Sequence, residues 1–83
     1  MPEEKVGVID DYFAHVGVAG VKLTASLGVG DAIHIEGHTT NFQQVVESMQ
    51  IERVDVREAV AGASVGIKVS ERCRPGDEVY KII

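Results

Sequence analysis

An all-β fold, a small closed or nearly closed antiparallel β-barrel, is what the sequence predicts, and three observations predict it. Roughly five or six short apolar segments, rich in valine and isoleucine, recur along the chain with period-two alternation in several of them. Glycine-bearing turns separate most of these segments. No segment requires a long helix, and 83 residues fit one domain with one core. A closed barrel would also remove the adhesive edges that valine-rich strands otherwise expose.

Each element has its own justification. Residues 1–5 are polar and acidic and read as a frayed tail. Residues 6–13 form a first strand and residues 16–23, with Val16, Val18 and Val21, a second, with Ala14 and His15 turning the chain between them. Leu27-Gly28-Val29-Gly30-Asp31 is a turn cluster, since paired glycines adopt positive φ without steric penalty. In residues 32–36, Ile33 and Ile35 alternate with His34 and Glu36, the pattern of a half-buried strand. Gly37 and His38 end it. Ala61-Gly62-Ala63 is a turn, residues 64–69 a strand with Val65, Ile67 and Val69 on one face, and Arg74-Pro75-Gly76-Asp77 another turn. Residues 78–82 close the chain as a last strand. Gly30-Asp31-Ala32-Ile33 and Gly76-Asp77-Glu78-Val79 echo each other weakly, each placing a Gly-Asp turn before a strand.

Residues 41–53 point two ways. Phe42, Val45, Val46 and Met49 fit the stripe of an amphipathic helix. The β-branched pair Val45-Val46, and an alternation placing Val45, Met49 and Ile51 on one face with Glu47, fit a strand instead.

Composition restricts the function. A net charge of −5 disfavours broad electrostatic binding to nucleic acid, which depends on cations neutralising phosphates. Cys73 is the only cysteine, so an intramolecular disulfide or a cysteine-rich zinc site cannot form, and a reduced thiol in a cytoplasmic protein is expected. The start of the chain leads into no long apolar stretch, so neither export nor membrane insertion is expected.

In order and spacing, the Val29-Gly30-Asp31 turn, the Ile33-x-Ile35 strand, Ala61-Gly62 followed by Val65-Gly66-Ile67, and Pro75-Gly76-Asp77 resemble domain two, the β-barrel, of elongation factor Tu and related translational GTPases. The resemblance spans about residues 5–82 and implies that the stretch from Thr40 to Ile51 is one long central strand, the reading adopted here. It also implies a module of protein biosynthesis. In elongation factor Tu the strand similar to residues 49–53 helps receive the aminoacylated end of transfer RNA; Arg53 keeps that pattern's arginine, while Gln50 replaces an acidic residue and Glu52 an aromatic one. The same barrel resembles a C-terminal module of collagenase-like peptidases and related RNA-modification enzymes.

Chemistry is sparse. No phosphate-binding Gly-x-x-x-x-Gly-Lys loop exists, which excludes nucleotide hydrolysis. His34 and His38 would share one face of an undisturbed strand, but Gly37 interrupts it and no further zinc ligand is at hand, so no metal or other cofactor is expected. Asp10 and Asp11, as strand neighbours, should face opposite ways. Cys73, between Arg72 and Arg74, is either an activated thiol or a small packed residue. The expected function is therefore a non-catalytic binding module. Its candidate interface residues are Gln50, Arg53 and Arg57, and its partner is a protein or ribonucleoprotein, with RNA not favoured by the acidic charge. The alternative is an accessory barrel subunit of a separately encoded peptidase-like or RNA-modification enzyme.

Overall fold

A long first strand that bends twice organises the computed structural model, which describes residues 2–83. Strand β1 (Glu3–Phe13) pairs on one side with β10 (Glu78–Ile82) and on the other with β2 (Val18–Leu23). Its register shifts once between Lys5 and Gly7 and again between Ile9 and Asp11. Each shift is a β-bulge, which leaves one residue unpaired and curls the strand. The start of β1 takes in residues 3–5, so the expected frayed tail is instead a paired strand end. Val16 and Gly17, expected in β2, form the turn, where both N–H groups donate to the Phe13 carbonyl.

Seven more strands complete the chain: β3 (Leu27–Gly28), β4 (Ala32–Glu36), β5 (Asn41–Val45), β6 (Met49–Ile51), β7 (Val54–Asp55), β8 (Glu58–Ala59) and β9 (Ser64–Lys68) precede β10. All pairings are antiparallel, and no helix occurs among the described residues. The main sheet has the order β5-β4-β10-β1-β2-β9-β6-β7, and β3 pairs with β8 apart from it. Its ends do not meet in a ladder, so the closed barrel expected from the sequence is not confirmed. Where β5 would need a partner, the Gln44 side chain stands in: its amide donates to the Lys68 carbonyl (2.8 Å) and its oxygen accepts from the Ser70 N–H (2.7 Å). A side chain thus blunts that edge.

Neither the helix pattern nor the single long strand describes residues 41–51. The chain breaks after Val45 because Val46 turns aside to the Gly30-Asp31 turn, donating to the Asp31 carbonyl and accepting from the Gly30 N–H, both at 2.8 Å. The break shifts the side-chain alternation. Phe42, Val46 and Met49 are buried, a spacing of four and then three that mimics a helix stripe, while Val45 is 50% exposed rather than sharing a face with Met49.

The core is aliphatic, with Ile9, Leu23, Leu27, Ile33, Ile35 and Ile67 almost wholly enclosed and Phe42 its one aromatic ring. Burying each such side chain contributes about 1.5–3 kcal/mol. Gly37 is required by the core's one buried carboxylate: a Cβ there would overlap the Asp77 side chain. That carboxylate accepts the Arg74 N–H at 2.8 Å and fixes the turn before β10. The two chain ends lie side by side, with the Ile83 N–H donating to the Pro2 carbonyl at 3.0 Å.

Candidate functional site

Glycines shape the outer face where the candidate residues lie. Gly20 on β2 and Gly66 on β9 are direct cross-strand partners, and Gly66 also pairs with Gln50 on β6. Glycine inside a strand leaves room for neighbouring side chains to come close: the Asp10 carboxylate lies over Gly20 and Val18 over Gly66. The result is a shallow groove lined by Asp10, Phe13, Gly20, Gln50, Glu52, Arg53 and Gly66, among others. Phe13 is 43% exposed, a large apolar ring at the groove's margin.

Gln50 and Arg53 are therefore brought together, and Arg57 is not. The Gln50 amide donates to the Asp55 carboxylate at 2.9 Å, which steadies it across the β6–β7 hairpin. Arg53 sits at the tip of that hairpin, in a two-residue turn closed by the Ile51–Val54 pair. Both turn residues, Glu52 (φ 51°) and Arg53 (φ 68°), hold the left-handed conformation that such turns demand and that asparagine and glycine supply most easily. Arg57 leads into β8, its carbonyl held by the Val29 N–H, and its side chain lines a separate depression with Val29, Glu47 and Met49.

The remaining sequence candidates fall apart. Asp10 and Asp11 do not alternate as expected, because Asp10 is the extra residue of the second bulge; both are exposed, and both lie close to Gly20. His34 stays on β4 while His38 is exposed in the turn beyond it, and no metal-binding cluster occurs among the described residues. His34 Nδ1 meets the Glu3 carboxylate at 3.0 Å and Nε2 meets Asn41 Oδ1 at 2.6 Å. The Glu3 bond first, and the Asn41 bond second, raise the imidazole above its usual value. Cys73 is the packed residue of the two alternatives: burial, with Asp77 and Glu71 adding repulsion, pushes its thiol up to about 11. Phe13 and the Gly20–Gly66 pair escaped the sequence reading; two glycines inside strand patterns were the available signal.

No protein-family model matches the chain. It is 40% identical over 77 residues to an uncharacterized protease of Methanocaldococcus jannaschii, a match covering 92% of this chain and 19% of that protein. A collagenase of Porphyromonas gingivalis is 38% identical over 72 residues, covering 84% of this chain and 20% of the collagenase. The chain thus spans about a fifth of the length of the curated relatives it matches. Among solved structures, the C-terminal domain of a Geobacillus thermoleovorans protein assigned to the U32 peptidases superposes with a TM-score of 0.90 at 25% identity, over 96% of this chain and 93% of that domain.

These relatives overturn the resemblance to elongation factor Tu, and with it the assignment to protein biosynthesis. The reason is physical. Gly30, Gly62 and Gly76 all have positive φ, so the motifs that carried the resemblance are the turn requirements of a scaffold, and a scaffold hosts many functions. The chain is similar in sequence to about a fifth of a protease and of a collagenase, and in fold to the C-terminal domain of a protein assigned to the U32 peptidases.

Proposed function

We propose that this chain is a non-catalytic accessory module for a peptidase-like protein, working through its outer face rather than through a pocket. One observation carries the reading: nearly the whole chain matches about a fifth of each protease relative, and it superposes on a C-terminal domain of that kind along almost its full length. The single thiol supports it, since a buried sulfur held as neutral thiol is a poor nucleophile. The contact face in this reading is the glycine-floored groove with Gln50 and Arg53, and Arg57 lies outside it. The same reading treats the curled sheet as a nearly closed barrel, supported by the Gln44 bridge from β5 to the end of β9.

The test is reconstitution. A U32-type peptidase lacking its own C-terminal domain is mixed with this chain and followed by size-exclusion chromatography and peptide hydrolysis. A complex that Arg53→Glu weakens is expected, with no hydrolysis by the chain alone. Absence of a complex, or hydrolysis by the isolated chain, would sink the proposal.

A further inference from the structure

The two kinds of cation in this protein are used differently. All four lysines are engaged: Lys5 with Glu78 (2.7 Å), Lys81 with Asp31 (3.7 Å), Lys22 with the Gly62 carbonyl (3.0 Å) and Lys68 with the Val16 carbonyl (3.2 Å). None of the four arginines makes an ion pair or a side-chain hydrogen bond among the described residues. Two of them, Arg72 and Arg74, line a single open cleft with Asp11, Tyr12 and Pro75, of about 430 Å³. That space admits an acidic side chain and its adjoining backbone.

The backbone beneath the cleft is tied down at Arg74, Gly76 and Asp77. Cys73, between the arginines, is buried, while both arginines are exposed. The Arg74 N–H is held by the Asp77 carboxylate, the Gly76 N–H by the Ile9 carbonyl and the Ile9 N–H by the Asp77 carbonyl, each at 2.8 Å. Opposite, the Asp11 carboxylate accepts the Tyr12 N–H at 2.8 Å and makes no ion pair with either arginine. The Tyr12 hydroxyl makes no hydrogen bond among the described residues. Two arginines without ion pairs and a tyrosine whose hydroxyl is unbonded therefore border one cleft, over a loop whose backbone is fixed at Arg74 and Gly76, which lowers the ordering cost of binding.

We propose that this cleft receives a carboxylate presented by an acidic segment of a protein partner. The planar guanidinium forks of Arg72 and Arg74 match a carboxylate with paired, charge-assisted hydrogen bonds. A polyphosphate strand fits less well. Its affinity grows with the number of cations along its path, and this cleft offers two. The site is separate from the Arg53 groove and does not depend on which peptidase the module serves.

The experiment uses the intact chain and an N-acetylated hexaglutamate peptide, followed at low salt through backbone amide and arginine Nε–H resonances. Saturable shifts confined to Asp11, Tyr12 and residues 72–75 are expected. Arg72→Gln with Arg74→Gln should weaken binding by about tenfold or more, the usual consequence of removing charged hydrogen bonds, while Arg57→Gln, outside both this cleft and the Arg53 groove, leaves it unchanged. Replacing both residues by lysine keeps the charge and removes the fork, and is expected to fall between; this pair serves if the glutamine pair does not fold. The proposal is overturned by an absence of saturable shifts, by binding that survives both double variants, or by inorganic phosphate or an oligouridylate strand occupying the cleft at lower concentration than the peptide. Since the chain is tested alone, failure here is distinct from failure of the reconstitution.

Discussion

Arg53 holds a conformation its side chain does not favour. A left-handed φ brings Cβ close to the following carbonyl, at about 1–2 kcal/mol for an ordinary residue, and Glu52 beside it does the same. Glycine lacks the clash but loses more backbone freedom on folding, so Arg53→Gly should stabilise the domain by a net of about 0.5–1 kcal/mol. Urea unfolding measures it, and a lower midpoint for the variant would mean that the guanidinium makes a compensating contact. If the module uses Arg53, the same substitution should raise stability while weakening the reconstituted complex. That conflict is typical of residues kept at a binding site despite local strain. The strain was invisible in the sequence, where Glu52-Arg53 carries no turn signal; only the pairing of Ile51 with Val54 forces a two-residue turn there. Gln50 and Arg53 share a face because of that hairpin, whereas Arg57 lies past its end on a different surface.

At the scale of elements, the start of β1 is tied across β10 to β4 by His34 and Glu3. Both imidazole nitrogens face oxygen acceptors, so the charged ring is the form this site favours. Glu36 reinforces it, and the ring of Tyr80 on β10 lies beside it with centroids 6.3 Å apart. A folded value raised above the ordinary 6.5 means that the tie is fully present below that pH and is lost as pH rises through the raised value. Protection factors of the Glu4 and Lys81 amides, corrected for intrinsic exchange, should therefore fall across that window. His34→Gln should flatten the dependence; an unchanged fall in the variant would remove His34 as its source. Strands β4 and β9 were legible because each alternates between buried and more exposed residues. The stretch from Asn41 to Ile51 was not, since its break at Val46 is made by hydrogen bonds to a turn distant in sequence. The two-residue strands β3, β7 and β8 are too short to have any period.

For the whole molecule, the weak echo in the sequence is a matched pair of turns. Gly30 and Gly76 both have positive φ, and the aspartate after each accepts, at 2.8 Å, the N–H of the residue three positions before it, Gly28 or Arg74. The strands that follow, β4 and β10, lie antiparallel as neighbours, so the turns stand at opposite ends of one pair. Such rules made the all-β class readable from sequence but misdirected the family, because any small curled sheet needs them. The adjacent chain ends have a consequence of another kind. With Pro2 and Ile83 hydrogen-bonded to each other, a short flexible linker can join them, and new ends can be opened between Ala14 and His15, both exposed in a turn. This permuted chain should keep the amide spectrum of the original away from the new ends and unfold in a single urea transition; loss of that spectrum would show that β1 must be continuous with the turn to fold. By the same geometry the module can be spliced into a surface loop of a carrier protein, entering and leaving at one point, so that a host backbone need open only narrowly to accommodate it.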